Sequence, residues 1–265
     1  MTDINIGERT IHVHDTGDKD KPTLLFVHGI MMDGSVWDAQ VGEFQHTHRC
    51  VCVDLRGFGQ SPADDPNISF EDHADDMAAL IDAMNLSEVT WVGWSMGGAI
   101  AMVFVPRHPS KIERLVLVDT TPQLLADENF PYALPPEAAQ QLGGLLVENY
   151  DQGCKAFAGL VAPEDESAQE RIARIAAASP PPVSLTAFQT SGSRNQIEEL
   201  EHIDVPTTII HGREDGVCLP AAAEFMAQRI RPATQPVWIE GAGHAGFMTK
   251  PNEFNAALRD ALGTL

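Results

Sequence analysis

The feature that most restricts this chain is the segment from Val89 to Ala99, Val-Thr-Trp-Val-Gly-Trp-Ser-Met-Gly-Gly-Ala. An apolar, strand-like run enters Gly93, and a Gly/Ala-rich helical run leaves Gly97 with no linker between them. A turn this sharp holds Ser95 at strained backbone angles and needs small neighbours for the chain to double back. It exposes the serine hydroxyl at a helix N-terminus, where developing negative charge is stabilised. A bare Gly-x-Ser-x-Gly is weak, because a plain glycine-rich turn also produces it; the flanking strand and helix make it specific.

Around this turn, short β-rich runs alternate with helical ones, which predicts a mostly parallel sheet covered on both faces. Strands are expected at Arg9–His14, Leu24–Val27, Cys50–Asp54, Val89–Gly93, Leu115–Asp119, Thr207–His211 and Pro236–Glu240. The stretch INIGERTIHV reads as a hairpin turning at Gly7, adding an antiparallel edge. Phe70, Ala74, Met77, Ile81 and Met84 form one helical stripe, opened by Ser69 with Asp72 three residues later. Ser95 to Val105 predicts a buried central helix; Ala221–Ile230 and Glu253–Leu262 predict amphipathic ones. Between about 121 and 193 the rhythm breaks. That region has several prolines (among them Pro131, Pro135, Pro136, Pro180, Pro181 and Pro182), no convincing strand, and helical stretches near Glu137–Tyr150 and Gln169–Ala178, as a helical insertion would.

The 265 residues fit one core carrying that insertion. With 17 Lys+Arg against 38 Asp+Glu, the formal charge is −21, which argues against nucleic acid and against an anionic membrane surface as partners. Five lysines against 38 acids also lean towards a saline habitat. No apolar run approaches the roughly 18 residues of a spanning helix, and MTDINIGERT lacks the basic and hydrophobic regions of a secretion signal. Cys50, Cys52, Cys154 and Cys218 are expected reduced and buried, in a cytoplasmic protein. No metal-binding spacing and no dinucleotide or phosphate loop appears, so no cofactor is expected.

Three further signals stand where a serine nucleophile needs them. His28-Gly29 follows an apolar strand and opens the loop Ile30–Trp37; Asp215 follows another strand in HGREDG; His244 sits in GAGHAG, before the last helix. Serine, acid and histidine follow one another in the chain order of the α/β-hydrolases. Glu214 and Asp119 are rival acids. Among the other histidines, His28 and His211 are read as loop braces and His73 as exposed on its helix.

On His28-Gly29, Asp54-Leu55-Arg56-Gly57-Phe58-Gly59-Gln60-Ser61, Gly93–Gly98, Gly212–Asp215 and Gly243-His244, the chain resembles the α/β-hydrolase fold superfamily over nearly its whole length. The elbow and the RGFGQS loop are similar to those of small esterases, lactonases and cofactor-free perhydrolases. The resemblance implies an α/β fold with a mostly parallel eight-stranded sheet. It implies a core of residues 1–120 and 194–265, and a short helical cap, 121–193, inserted after strand six. It implies Ser95 as nucleophile, His244 as general base, Asp215 as its orienting acid, and the backbone N–H groups of Ile30 and Met96 as an oxyanion hole. Trp37, Trp94, Met31, Phe130 and Phe188 are placed to line an acyl pocket, and Arg194 to meet a carboxylate. The expected reaction is hydrolysis of a small carboxylic ester or lactone. A C–C bond hydrolase or a perhydrolase would use the same triad, and a non-catalytic binder of a small ligand would keep only the fold.

Overall fold

The N-terminal strands β1 (Thr2–Ile6) and β2 (Arg9–Asp15) form the hairpin around Gly7 and alternate in burial, as strands with one wetted face do. β3 (Thr23–Val27), β4 (Arg49–Val53), β5 (Val89–Trp94), β6 (Arg114–Val118) and β7 (Thr207–Gly212) are buried along their whole length, and β8 (Val237–Ile239) closes the far edge. The sheet order is β1-β2-β4-β3-β5-β6-β7-β8. The β1–β2 and β2–β4 pairings are antiparallel and the others parallel. This computed structural model describes residues 1–263.

Helices α1 (Asp38–Phe44), α2 (Phe70–Ala83) and α3 (Met96–Arg107) belong to the first half of the sheet. α2 opens with the capping box read from the sequence. Ser69 Oγ accepts from the Asp72 N–H at 3.0 Å, and the Asp72 carboxylate accepts from the Ser69 N–H at 2.9 Å. One expectation on α2 is corrected: His73 is buried, not exposed. It stands three residues from Phe70 and four from Met77, and so shares their inward face.

Between β6 and β7 lie α4 (Pro136–Glu148), α5 (Tyr150–Val161), α6 (Glu166–Ala178) and α7 (Pro181–Ser193). α4 packs on α5 and α7, and α5 packs on α6. The chain entering and leaving this segment is tied together: Gln123 bridges Asn195, and the Gln196 N–H donates to the Pro122 carbonyl at 2.9 Å. α8 (Pro220–Arg229), the single turn α9 (Gly246–Thr249) and α10 (Pro251–Gly263) complete the chain. α3 packs on α2, and α10 on α1. All four cysteines are free and buried. Among the described residues, no helix is long and apolar enough to cross a membrane.

Candidate active site

The C-terminal ends of the parallel strands meet at one place, and Ser95 stands there between β5 and α3. Its backbone is at φ 51°, ψ −116°, in the left-handed half of conformational space that side chains rarely occupy. Its own N–H donates to the Val118 carbonyl at 2.9 Å, and its carbonyl accepts from Thr120 Oγ1 at 2.7 Å. These bonds to the end of β6 over-determine the turn. The glycines are needed for close approach: a Cβ on Gly93 would stand 2.5 Å from the Gly97 carbonyl oxygen, and one on Gly97 would overlap the Val27 carbonyl.

Ser95 Oγ lies 3.0 Å from His244 Nε2, and His244 Nδ1 lies 2.8 Å from Asp215 Oδ2. Both bonds are satisfied at once when Nδ1 carries the imidazole proton and Nε2 accepts from the serine hydroxyl. Asp215 is buried, and its other oxygen accepts the Val217 and Cys218 N–H groups at 2.7 and 2.9 Å. Burial pushes its carboxyl pKa up, but the charges and hydrogen bonds of His244 and His211 outweigh that and hold it well below the usual carboxylate range. The rival Asp119 accepts from the Gly212 N–H at 2.7 Å, and burial raises its pKa to about 7. It makes no hydrogen bond to His244, so of the two acids only Asp215 orients that ring.

The loops around this triad are braced by the remaining motif residues. His28 Nε2 accepts the Leu55 N–H at 3.0 Å while Nδ1 donates to the Gly29 carbonyl at 2.7 Å, and burial pushes its pKa down. Asp54 accepts from the Gly34 and Gln60 N–H groups, both at 2.8 Å, linking the loop after β3 to the RGFGQS loop. Arg56 pairs with Asp76 at 2.7 Å. His211 donates through Nε2 to the Cys218 carbonyl at 2.7 Å. The Trp94 indole N–H donates to the His244 carbonyl at 2.7 Å.

A cavity of about 680 Å³, counting space open to solvent, adjoins Ser95 and His244. Ile30 and Met96 line it from the core, and among the described residues neither backbone N–H has a hydrogen-bond acceptor. Phe188 lines it too, with Leu142 and Phe157 from the insertion. The other expected pocket residues lie elsewhere and are corrected here. Trp37 is fully buried between Phe26 and Phe247, with ring centroids 5.1 and 4.3 Å away; Trp94 packs on Phe247 at 4.9 Å. Met31 is fully buried and does not line the cavity, and Phe130 joins Tyr132 and Phe225 in a separate small cluster. Large apolar side chains bury most area when neighbours surround them completely, so they fill the core rather than border a void. Phe70, Ser191 and Gln196, which the sequence did not assign to the pocket, do line the cavity.

Asp215, Cys218 and His244 bring potential metal donors within 4.8 Å of one another. Their donor atoms are otherwise engaged. The Asp215 oxygens are bonded as described, the imidazole spans Asp215 and Ser95, and burial holds the Cys218 thiol protonated. The set suits proton transfer better than metal ligation.

Comparison with known proteins agrees with this geometry. Residues 22–251 match the family model described as the alpha/beta hydrolase fold. A pimeloyl-[acyl-carrier protein] methyl ester esterase of Nitrosomonas europaea is 30% identical over 254 residues, covering 92% of this chain and 96% of that protein. An esterase of Exiguobacterium antarcticum superposes with a TM-score of 0.92 at 23% identity, covering 98% of both chains. The enol-lactonase of Burkholderia xenovorans LB400 does so at 0.84 and 20%, covering 98% of this chain and 99% of its own. With the serine elbow, the strand order and the family match in agreement, the chain belongs to the alpha/beta-hydrolase fold family.

Proposed function

We propose that this protein hydrolyses a small carboxylic ester or lactone through an acyl-enzyme on Ser95. The observation that carries the reading is the continuous hydrogen-bonded chain Ser95–His244–Asp215 opening onto an apolar cavity. His244 Nε2 takes the Ser95 proton as Oγ attacks the ester carbonyl carbon. The resulting oxyanion is received by the Ile30 and Met96 N–H groups, at the N-terminus of α3. The imidazolium then protonates the departing alkoxide. In the second half, His244 takes a proton from water, the hydroxide attacks the acyl carbon, and Ser95 leaves with its proton returned. Asp215 stays ionised throughout, holding the tautomer and stabilising the imidazolium. For a lactone the alkoxide remains tethered and the product is a hydroxy acid.

In this reading residues 121–193 act as a cap whose Leu142, Phe157 and Phe188 bound an apolar acyl site. The esterase activity named for the Nitrosomonas relative supports the reaction class. Four buried free thiols support a cytoplasmic location. The test is a series of p-nitrophenyl esters from acetate to octanoate, with γ- and δ-lactones, run beside Ser95→Ala. Turnover that falls at least about a thousandfold in the variant supports the reading. Turnover undiminished in the variant would refute it.

A further inference from the structure

The cavity wall formed by the end of α7 is mostly apolar, yet it holds two polar groups with nothing to do. Ser191 Oγ and Arg194 Nε are both shielded from solvent and lack a hydrogen-bond partner. The other polar side chains of the cavity are employed. Thr120 donates to the Ser95 carbonyl, Thr121 to the Gln123 carbonyl and Gln196 to the Ala99 carbonyl, while Ser95 and His244 bond each other. Buried polar groups are ordinarily paired, and leaving them unpaired is costly. Ser191 and Arg194 are three residues apart, so their side chains leave the same face of the chain. Both idle groups can donate.

The charge around Arg194 decides what they can receive. Its guanidinium pairs with Glu71 at 2.7 Å, lies 3.8 Å from Glu199 and sits over the Phe70 ring at 5.8 Å. One positive charge thus already faces two carboxylates. A substrate carboxylate would add a third negative charge beside Glu71 and Glu199, and the like charges would repel. The carboxylates that Arg194 meets are those of Glu71 and Glu199 in the protein itself. An uncharged acceptor meets the same donors without that repulsion.

Resting on the hydrolase reading above, we infer that the Ser191–Arg194 wall recognises a second, uncharged carbonyl in the acyl part of the substrate. The substrate class is then an oxo-acyl or acylamino ester or lactone, with dicarboxylic half-esters disfavoured. The arrangement also gives selectivity. A plain alkyl chain leaves both donors unpaired, whereas a carbonyl at the right depth satisfies them.

The test compares kcat/KM for p-nitrophenyl octanoate, its 5-oxo and 7-oxo derivatives, and the half-ester of suberic acid. One oxo ester is expected to exceed octanoate by about tenfold, and the half-ester to fall below it. In Ser191→Ala and in Arg194→Lys, which keeps the charge opposite Glu71, the oxo-to-plain ratio is expected to fall towards one, whatever the absolute rates. A half-ester that outruns every other substrate, an octanoate as good as both oxo esters, or a preference that survives both substitutions would overturn the inference. Calorimetry of methyl 7-oxooctanoate and methyl 5-oxooctanoate against methyl octanoate on Ser95→Ala separates it from the hydrolase reading. Tighter binding of an oxo ester where the wild type shows no Ser95-dependent turnover would support the subsite and refute the hydrolase. Ser95-dependent turnover without any oxo preference does the reverse.

Discussion

Ser95 carries a side chain at φ 51°, and the cost of that conformation, on the order of 1–3 kcal/mol, is met by the bonds that fix the turn. Glycine adopts such angles freely and alanine does not. Ser95→Gly is therefore expected to be more stable than Ser95→Ala by roughly 1 kcal/mol in urea unfolding, although both lose turnover. Equal stabilities would mean that the elbow is unstrained. At this scale the sequence was legible where backbone geometry dictates residue type. Gly93, Ser95 and Gly97 could be read because the close approaches and the left-handed turn there exclude most side chains. The pocket side chains could not, because nothing in a sequence distinguishes an aromatic ring that borders a void from one that fills the core. Trp37 and Phe188 look alike in sequence, and only Phe188 borders the cavity.

The element that most affects the site is the insertion, through one contact that reaches the loop carrying His244. Glu164, in the turn between α5 and α6, accepts from the Gly243 N–H at 2.9 Å and from Thr249 Oγ1 at 2.7 Å. It thereby holds the residue before His244 and the single turn after it. Glu164→Ala is expected to lower kcat/KM roughly two- to tenfold by loosening that loop, and Glu164→Gln, whose amide oxygen still accepts, to restore most of the loss. Wild-type kinetics in the alanine variant would show that the tie is idle. The insertion's existence was legible from its broken rhythm, and α4 and α6 were found within a few residues of their ends. α5 and α7 were missed. α7 begins at Pro181, the second of three consecutive prolines, which read as a break although proline suits a first helical turn, where the N–H groups have no partner.

For the molecule as a whole, eight strands in a mostly parallel sheet with an antiparallel edge follow from the alternation of apolar and helical runs, and that much, though not the strand order, was readable from the sequence. Its response to acid depends on burial, which was not. His73 is fully enclosed, and desolvation, with the nearby Arg56 cation, lowers its pKa to about 3. Between that value and about 6.5, the unfolded chain binds a proton there that the native protein does not. Stability from this residue is therefore complete above about pH 6.5 and is lost as pH falls, by about 2 kcal/mol at pH 5. Asp119, raised to about 7 by burial, has the opposite sign over part of that range, so the comparison must isolate His73. His73→Gln, which cannot titrate, should lose less stability than the wild type between pH 7.5 and 5 in urea unfolding. Parallel losses would place His73 in contact with water.

The central claim is that Ser95 forms a covalent bond to the substrate's acyl carbon with His244 as base. Intact-mass and peptide mapping after exposure to a fluorophosphonate tests it most directly, since the phosphorus takes the place of that carbon. The account predicts a single adduct on Ser95, none there in Ser95→Ala, and strongly slowed labelling in His244→Ala. A folded protein that stays unmodified, or that is modified at another residue at the same rate in all three forms, would contradict it.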